Sequence, residues 1–196
     1  MISLNIINLD IKLRKSFFII NKYFLIKLYQ DMSQISWNSS NDKGVCVVIG
    51  KANGIVYLEQ FGDVTVIQGK ISGLKPNSYH AIHIHEYGDL SEGCTSCCAH
   101  YNPFKMNHGG PDSADRHMGD LGNIKSDANG ISEFKLIDGQ VRLGGPYSVI
   151  GRSIVIHEDP DDLGLGNHSD SLTTGHAGKR IGCGVIGYRS PKGKCQ

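Results

Sequence analysis

The chain has 196 residues, with 20 Lys+Arg against 19 Asp+Glu, a formal net charge of +1, 39% apolar residues, 9 His and 6 Cys. This near-neutral balance gives no electrostatic case for nucleic acid. The apolar content suffices for a packed core, and no run of about 18 apolar residues is present to cross a bilayer. The expectation is one soluble globular domain plus an appendage, with neither a nucleic acid nor a membrane as partner.

The appendage comes first. No Gly or Pro precedes Gly44, and the opening stretch is crowded with Ile, Leu, Phe, Asn and Lys. Five basic residues (Lys12, Arg14, Lys15, Lys22, Lys27) stand there against two acids (Asp10, Asp31). The apolar run from Phe17 to Tyr29 is broken by Asn21, Lys22 and Lys27, and it lacks a small-residue cleavage site. Residues 1–40 are read as an extension that is disordered, targeting-like or upstream of a natural start at Met32. Residues 41–189 are read as the domain, and 190–196 as a tail carrying Cys195.

From Gly44 the apolar period is two: Val45, Val47, Ile49; then Ile55, Tyr57; then Val64, Val66. Further strand-like runs cover Tyr79 to His85, Leu121 to Lys125, Ile131 to Ile137, Arg152 to Glu158 and Ile181 to Tyr188, with Asp127 to Gly130 as a hairpin turn. No 3.6-residue stripe lies between them. The pattern predicts an all-β, eight-stranded antiparallel Greek-key sandwich or flattened barrel. Two connections, Glu86 to Gly119 and Asp159 to Arg180, are long enough to demand a function or an internal scaffold.

The histidines offer that scaffold. His83 and His85 alternate on one strand and so face the same side. His100, His108, His117 and Asp120 run through the first long loop, and His157 ends a later strand. Neutral imidazole suits copper and zinc, and three His with one carboxylate make a reasonable zinc set.

The ordered motifs resemble one family. They are His83-Ile-His85-Glu-Tyr-Gly-Asp, Gly93-Cys94-Thr95-Ser96, His100-Tyr101-Asn102-Pro103, His108-Gly109-Gly110-Pro111, Arg116-His117-Met118-Gly119-Asp120-Leu121-Gly122-Asn123 and Gly182-Cys183-Gly184-Val185-Ile186-Gly187. From about Lys43 to Tyr188 the chain is similar to copper/zinc superoxide dismutases of the eukaryotic cytosolic type.

The resemblance implies an enzyme that converts two superoxide anions to O2 and hydrogen peroxide, with one copper and one zinc per subunit. Copper falls to His83, His85, His100 and His157, and zinc to His100, His108, His117 and Asp120. Asp161 matches a carboxylate that hydrogen-bonds a copper-ligand and a zinc-ligand histidine, and Arg180 matches the substrate-guiding arginine. Cys94 and Cys183 match the family's disulfide. A homodimer with Ile150, Gly151 and Ile186 at its surface, a possible copper chaperone and a cytoplasmic location also follow, in a host cytoplasm if the AT-rich bias of the extension is viral. A copper-delivery protein is the second reading, although no Cys precedes Cys46 to form its metal module. A zinc-only protein is the third.

Departures from the family stand beside these matches. Cys97 and Cys98 replace small non-cysteine residues, and could compete for the disulfide, capture copper or act as fillers. Leu165, Thr173 and Ser169 stand where relatives carry charge, while His168, His176 and Lys179 restore some positive potential near Arg180. The expectation is a weaker dependence of rate on ionic strength. Cys46 is read as a buried free thiol.

Overall fold

A computed structural model describes residues 43–191. The readings of residues 1–40, of Cys195 and of most of the tail lie outside the described residues.

Among the described residues eight strands form: β1 (Lys43–Gly50), β2 (Asn53–Phe61), β3 (Val64–Ser72), β4 (Tyr79–His85), β5 (Asp120–Lys125), β6 (Ser132–Asp138), β7 (Ser153–His157) and β8 (Arg180–Tyr188). Every pairing is antiparallel, and the hydrogen-bonded order is β5-β4-β7-β8-β1-β2-β3-β6. The edge strands β5 and β6 approach each other, so the sheet curls into a nearly closed barrel. Around that ring the β3–β4 connection passes over β6 and β5, and the β6–β7 connection passes over β5 and β4, which gives the Greek-key crossings.

The turn at Asp127–Gly130 forms as expected: the Asp127 carboxylate accepts from Asn129 and Ile131 N–H at 2.8 and 2.9 Å. It does not make a hairpin, because the strands it joins are the two ends of the order rather than ladder neighbours.

Alternation decides the core. Cys46 and Val48 of β1, Val56 and Leu58 of β2, and Ile67 and Ile71 of β3 point inward, against Ile82, Ile84, Ile154, Ile156 and Ile186. The alternate residues Val47, Ile49 and Ile55 are 57%, 58% and 40% exposed. Both faces of β1 and β2 are thus apolar, which period two alone does not distinguish. β4 and β7 are buried along nearly their whole length. Their isoleucines enter the barrel, while His83, His85, Val155 and His157 alternate outward beneath the two long connections.

Each connection carries its own short scaffold. The first holds a 3₁₀ turn at Thr95–Cys97, and the second a single helical turn, α1 (Ser171–Thr174). Buried Arg116 donates to Asp138 on β6 at 2.5 Å and to Pro111 O at 2.8 Å, which ties the first loop to the barrel. A disulfide joins Cys94 in that loop to Cys183 on β8. The expectation that Ile186 lies on a dimer surface is overturned: it is fully buried in the core, because it alternates with Val185, which is 38% exposed.

Candidate metal centre

Backbone pairing brings the histidines together. Ile84 N–H donates to Gly119 O and Ile84 O accepts from Tyr101 N–H, both at 2.8 Å, so the ends of the first loop are laid alongside β4. His100 consequently bridges to His85. β4 pairs with β7, with Ile82 opposite Ile156, which brings His157 to the same face. His80, absent from the sequence reading, is buried and its Nδ1–H donates to His157 O at 3.0 Å. Its position three residues before His83 is a signal only once the β4–β7 pairing is known.

Two sets of donor atoms converge, each within 4.8 Å of one another: His83, His85, His100 and His157, and then His83, His100, His108 and Asp120. His117 completes the second set, its Nδ1 lying 3.2 Å from Asp120 Oδ1 and 3.4 Å from His100 Nδ1. Asp120 Oδ1 is also 2.9 Å from His100 Nδ1 and 3.0 Å from His108 Nδ1. Its other oxygen accepts from the N–H groups of Gly109 and His117 at 3.1 and 2.8 Å.

Hydrogen bonds to one ring nitrogen select the other. His85 Nδ1–H donates to Cys98 O at 2.8 Å and His157 Nδ1–H to Gly178 O at 3.3 Å. Their Nε2 lone pairs are left facing each other 3.4 Å apart. His83 Nε2–H donates to Asp161 Oδ2 at 2.8 Å and His108 Nε2–H to Asp161 Oδ1 at 2.7 Å. Asp161 therefore links the two sets, and Gly175 makes room for it: a Cβ there would strike both Asp161 and His108. The Nδ1 atom of His83 is buried without a hydrogen bond, and that of His108 has only the Asp120 carboxylate beside it.

Opposed imidazole lone pairs and buried orphan nitrogens are repulsive or unsatisfied in an apolar pocket, and a soft or borderline cation relieves both conditions. The donor chemistry therefore fits copper and zinc.

The electrostatics agree. Burial, then repulsion from neighbouring histidines, pushes His83 and His85 well below the ordinary imidazole range. Burial lowers His100 too, against the pull of Asp120. His157 is lowered to about 4 by burial and by His100, so these rings keep their lone pairs at neutral pH. Burial opposes ionisation of Asp120, but hydrogen bonds from His100, His108 and His117 prevail and hold it far below the usual carboxylate range. His108 is the exception: burial lowers it, yet its bonds to Asp120 and Asp161 raise it to about 9.

Arg180 sits beside this face, half-buried. Its guanidinium donates to Cys94 O at 2.7 Å, Thr95 O at 3.3 Å and Cys98 O at 2.6 Å. Cys98 O is thus shared with His85, on a non-glycine residue held at φ 60, a sparsely populated conformation for a side-chain-bearing residue.

Residues 52–186 match the family model described as copper/zinc superoxide dismutase. The chain belongs to this family. It is 54% identical over 144 residues to the Superoxide dismutase [Cu-Zn] of Paramecium bursaria Chlorella virus 1, covering 74% of this chain and 77% of that one. It is 50% identical over 149 residues to that of Candida glabrata, covering 74% and 97%. It is 44% identical over 153 residues to Superoxide dismutase [Cu-Zn] 3 of Arabidopsis thaliana, covering 76% and 93%. Membership, the donor sets and the disulfide agree with the family and cofactors expected from the sequence.

The second connection modifies one expectation. His168 and His176 stack with ring centroids 3.5 Å apart, and His176 pairs with Asp170 at 2.8 Å. That partner offsets the charge His176 was expected to add.

Proposed function

We propose that this chain dismutates superoxide through a paired copper and zinc centre in which His100 belongs to both sets. The observation that carries this reading is the pair of donor sets that share His83 and His100: His83 Nε2 is tied to Asp161, whereas His100 turns its Nδ1 to Asp120. His83, His85, His100 and His157 would hold copper, which would supply the one-electron chemistry that converts two superoxide anions and two protons to O2 and hydrogen peroxide, and His100, His108, His117 and Asp120 would hold a redox-inert zinc.

The chain's own groups do the rest. Arg180, fixed by three carbonyls, attracts the small anion and orients it by hydrogen bonding. The family is itself an example of such electrostatic guidance. Asp161 holds His83 and His108 in one tautomer and ring orientation. His100 Nε2 is the atom placed to hold and release a proton.

A homodimer is part of the same proposal. Ile55 lies opposite Val47, and the β1–β8 register sets Val47 beside Val185, so one exposed apolar stripe crosses three strands. A copper chaperone as loading partner, a cytoplasmic location, and a domain of 41–189 flanked by an extension and a tail complete the reading. These rest on the resemblance, and N-terminal sequencing with cell fractionation tests the last two.

The deciding experiment is copper and zinc content per subunit, with dismutation assayed before and after chelation and reloading. One copper and one zinc with chelator-sensitive activity is the expected result. Zinc alone, inactive after copper addition, overturns the proposal in favour of a zinc-only or metal-handling protein.

A further inference from the structure

The thiols of Cys97 and Cys98 have no part in the site described above, which uses only the Cys98 carbonyl. Cys98 is exposed, whereas Cys97 is fully buried. Cys97 shares a small apolar cluster with Val155 and Cys183, with Leu90 and Cys94 packed against it, so a free thiol lies in the same pocket as the Cys94–Cys183 bridge. Its sulfur is restrained by a long, 3.5 Å contact to Asp89 O. The local backbone adds a second relation. Cys94 directly precedes the 3₁₀ turn Thr95–Cys97 and has helical angles of φ -78 and ψ -7. At three residues per turn, positions i and i+3 eclipse, which makes Cys94 and Cys97 a Cys-x-x-Cys pair on one side of the turn.

We propose that Cys97 is a resident exchange partner of this disulfide. Cys97, as thiolate, attacks Cys94 Sγ; the Cys94–Cys183 bond breaks, a Cys94–Cys97 bond forms, and Cys183 leaves as thiolate to take up the proton that Cys97 gave up. One disulfide and one thiol are present before and after, so no oxidant or reductant is consumed. The docked loop favours the Cys94–Cys183 pairing. An open chain favours the local pair, because closing a span of 89 residues costs more entropy than closing one turn. Loop opening therefore shifts the pairing to Cys94–Cys97.

The consequence falls on Arg180. Its three acceptors, the carbonyls of Cys94, Thr95 and Cys98, all lie on the segment that the native bridge ties to β8. Moving the bridge inside that segment removes the covalent tie and leaves hydrogen bonds to hold the guanidinium. The exchange stands independently of the dismutase reading; its effect on substrate guidance rests on that reading.

The test uses the full-length, metal-loaded, oxidised protein, incubated below its unfolding temperature with excess N-ethylmaleimide and no added thiol. It is then quenched in acid and digested without reduction. Exposed Cys98 reacts first and serves as the clock. The expected product, accumulating afterwards, carries a Cys94–Cys97 cross-linked peptide with maleimide on Cys183. It is lost in Cys97→Ala and retained in Cys98→Ser. Maleimide on Cys97 with Cys94–Cys183 intact overturns the proposal. So does a Cys94–Cys98 product, or the absence of label on both Cys97 and Cys183 long after Cys98 is consumed. None of these readouts depends on activity, so failure of the dismutase reading would appear in metal content and turnover instead.

Discussion

Replacing Asp161 with Asn changes one atom at the junction of the two donor sets and preserves shape. In the native chain both carboxylate oxygens accept, from His83 Nε2–H at 2.8 Å and from His108 Nε2–H at 2.7 Å. An amide can satisfy one ring and must present its own N–H to the other, so that donor faces donor. The opposed histidine then either loses its bond, leaving a buried donor unsatisfied at a cost of about 1–3 kcal/mol, or moves its proton to Nδ1, the nitrogen that a metal needs. Removal of a comparable partner of a metal-bound histidine typically weakens binding about 10- to 100-fold, which corresponds to roughly 1.4 to 2.8 kcal/mol. The backbone should stay in place, because Asp161 N–H and C=O are held separately by Asn123 at 2.8 and 2.9 Å. Chelator-competition titrations of Asp161→Asn with zinc and with copper, each checked by circular dichroism, measure the effect. Binding of both metals within a factor of two of the native chain would refute the argument that this carboxylate fixes both rings.

Four further outcomes follow from particular contacts. In the chelated, metal-free protein, His157 at about 4 against an ordinary 6.5 contributes stability that is complete above pH 6.5 and lost as pH falls toward 4, by about 3 kcal/mol. His108 at about 9 works in reverse: its contribution is complete below 6.5 and lost as pH rises through 9. Denaturant unfolding should therefore show greatest stability near pH 6.5, and a steady rise from pH 4 to 9 would contradict the His108 assignment. Arg180→Lys keeps the charge but not the fork that reaches three carbonyls, so kcat/KM for superoxide should fall by about tenfold with unchanged metal content; an unaltered rate would remove Arg180 from substrate guidance. With His176 paired to Asp170, the rate should fall only gently with added salt, and a steep fall that persists in Lys179→Gln would count against that reading. Val47→Glu places a charge in the exposed stripe and should yield monomers by sedimentation; an unchanged dimer would locate the interface elsewhere.

Much of the scaffold is local chemistry and could be read in chain order. Period-two alternation marks each strand, Asp127-Ala-Asn-Gly130 marks a turn because Asp caps the N–H groups ahead of it, and His83-x-His85 must share a face. The donor types, imidazole with one carboxylate, point to copper and zinc without coordinates. Period two separates two faces and does not say which turns inward, so the apolar outer stripe of Ile55, Val47 and Val185 emerges only with the barrel closed, and Ile186, placed on a dimer surface through the resemblance, turns into the core beside it. Nor does spacing reveal which ring nitrogen is free. That choice depends on acceptors remote in the chain: Asp161 for His83, Cys98 O for His85 and Gly178 O for His157. The same holds for Cys97, whose neighbour in sequence is exposed while its own sulfur joins Cys183 in an apolar cluster. Residue type and local geometry set the elements and the kind of chemistry; long-range strand pairing alone brought β4, the first loop and the end of β7 to one face, where burial and hydrogen bonding assign each group its task.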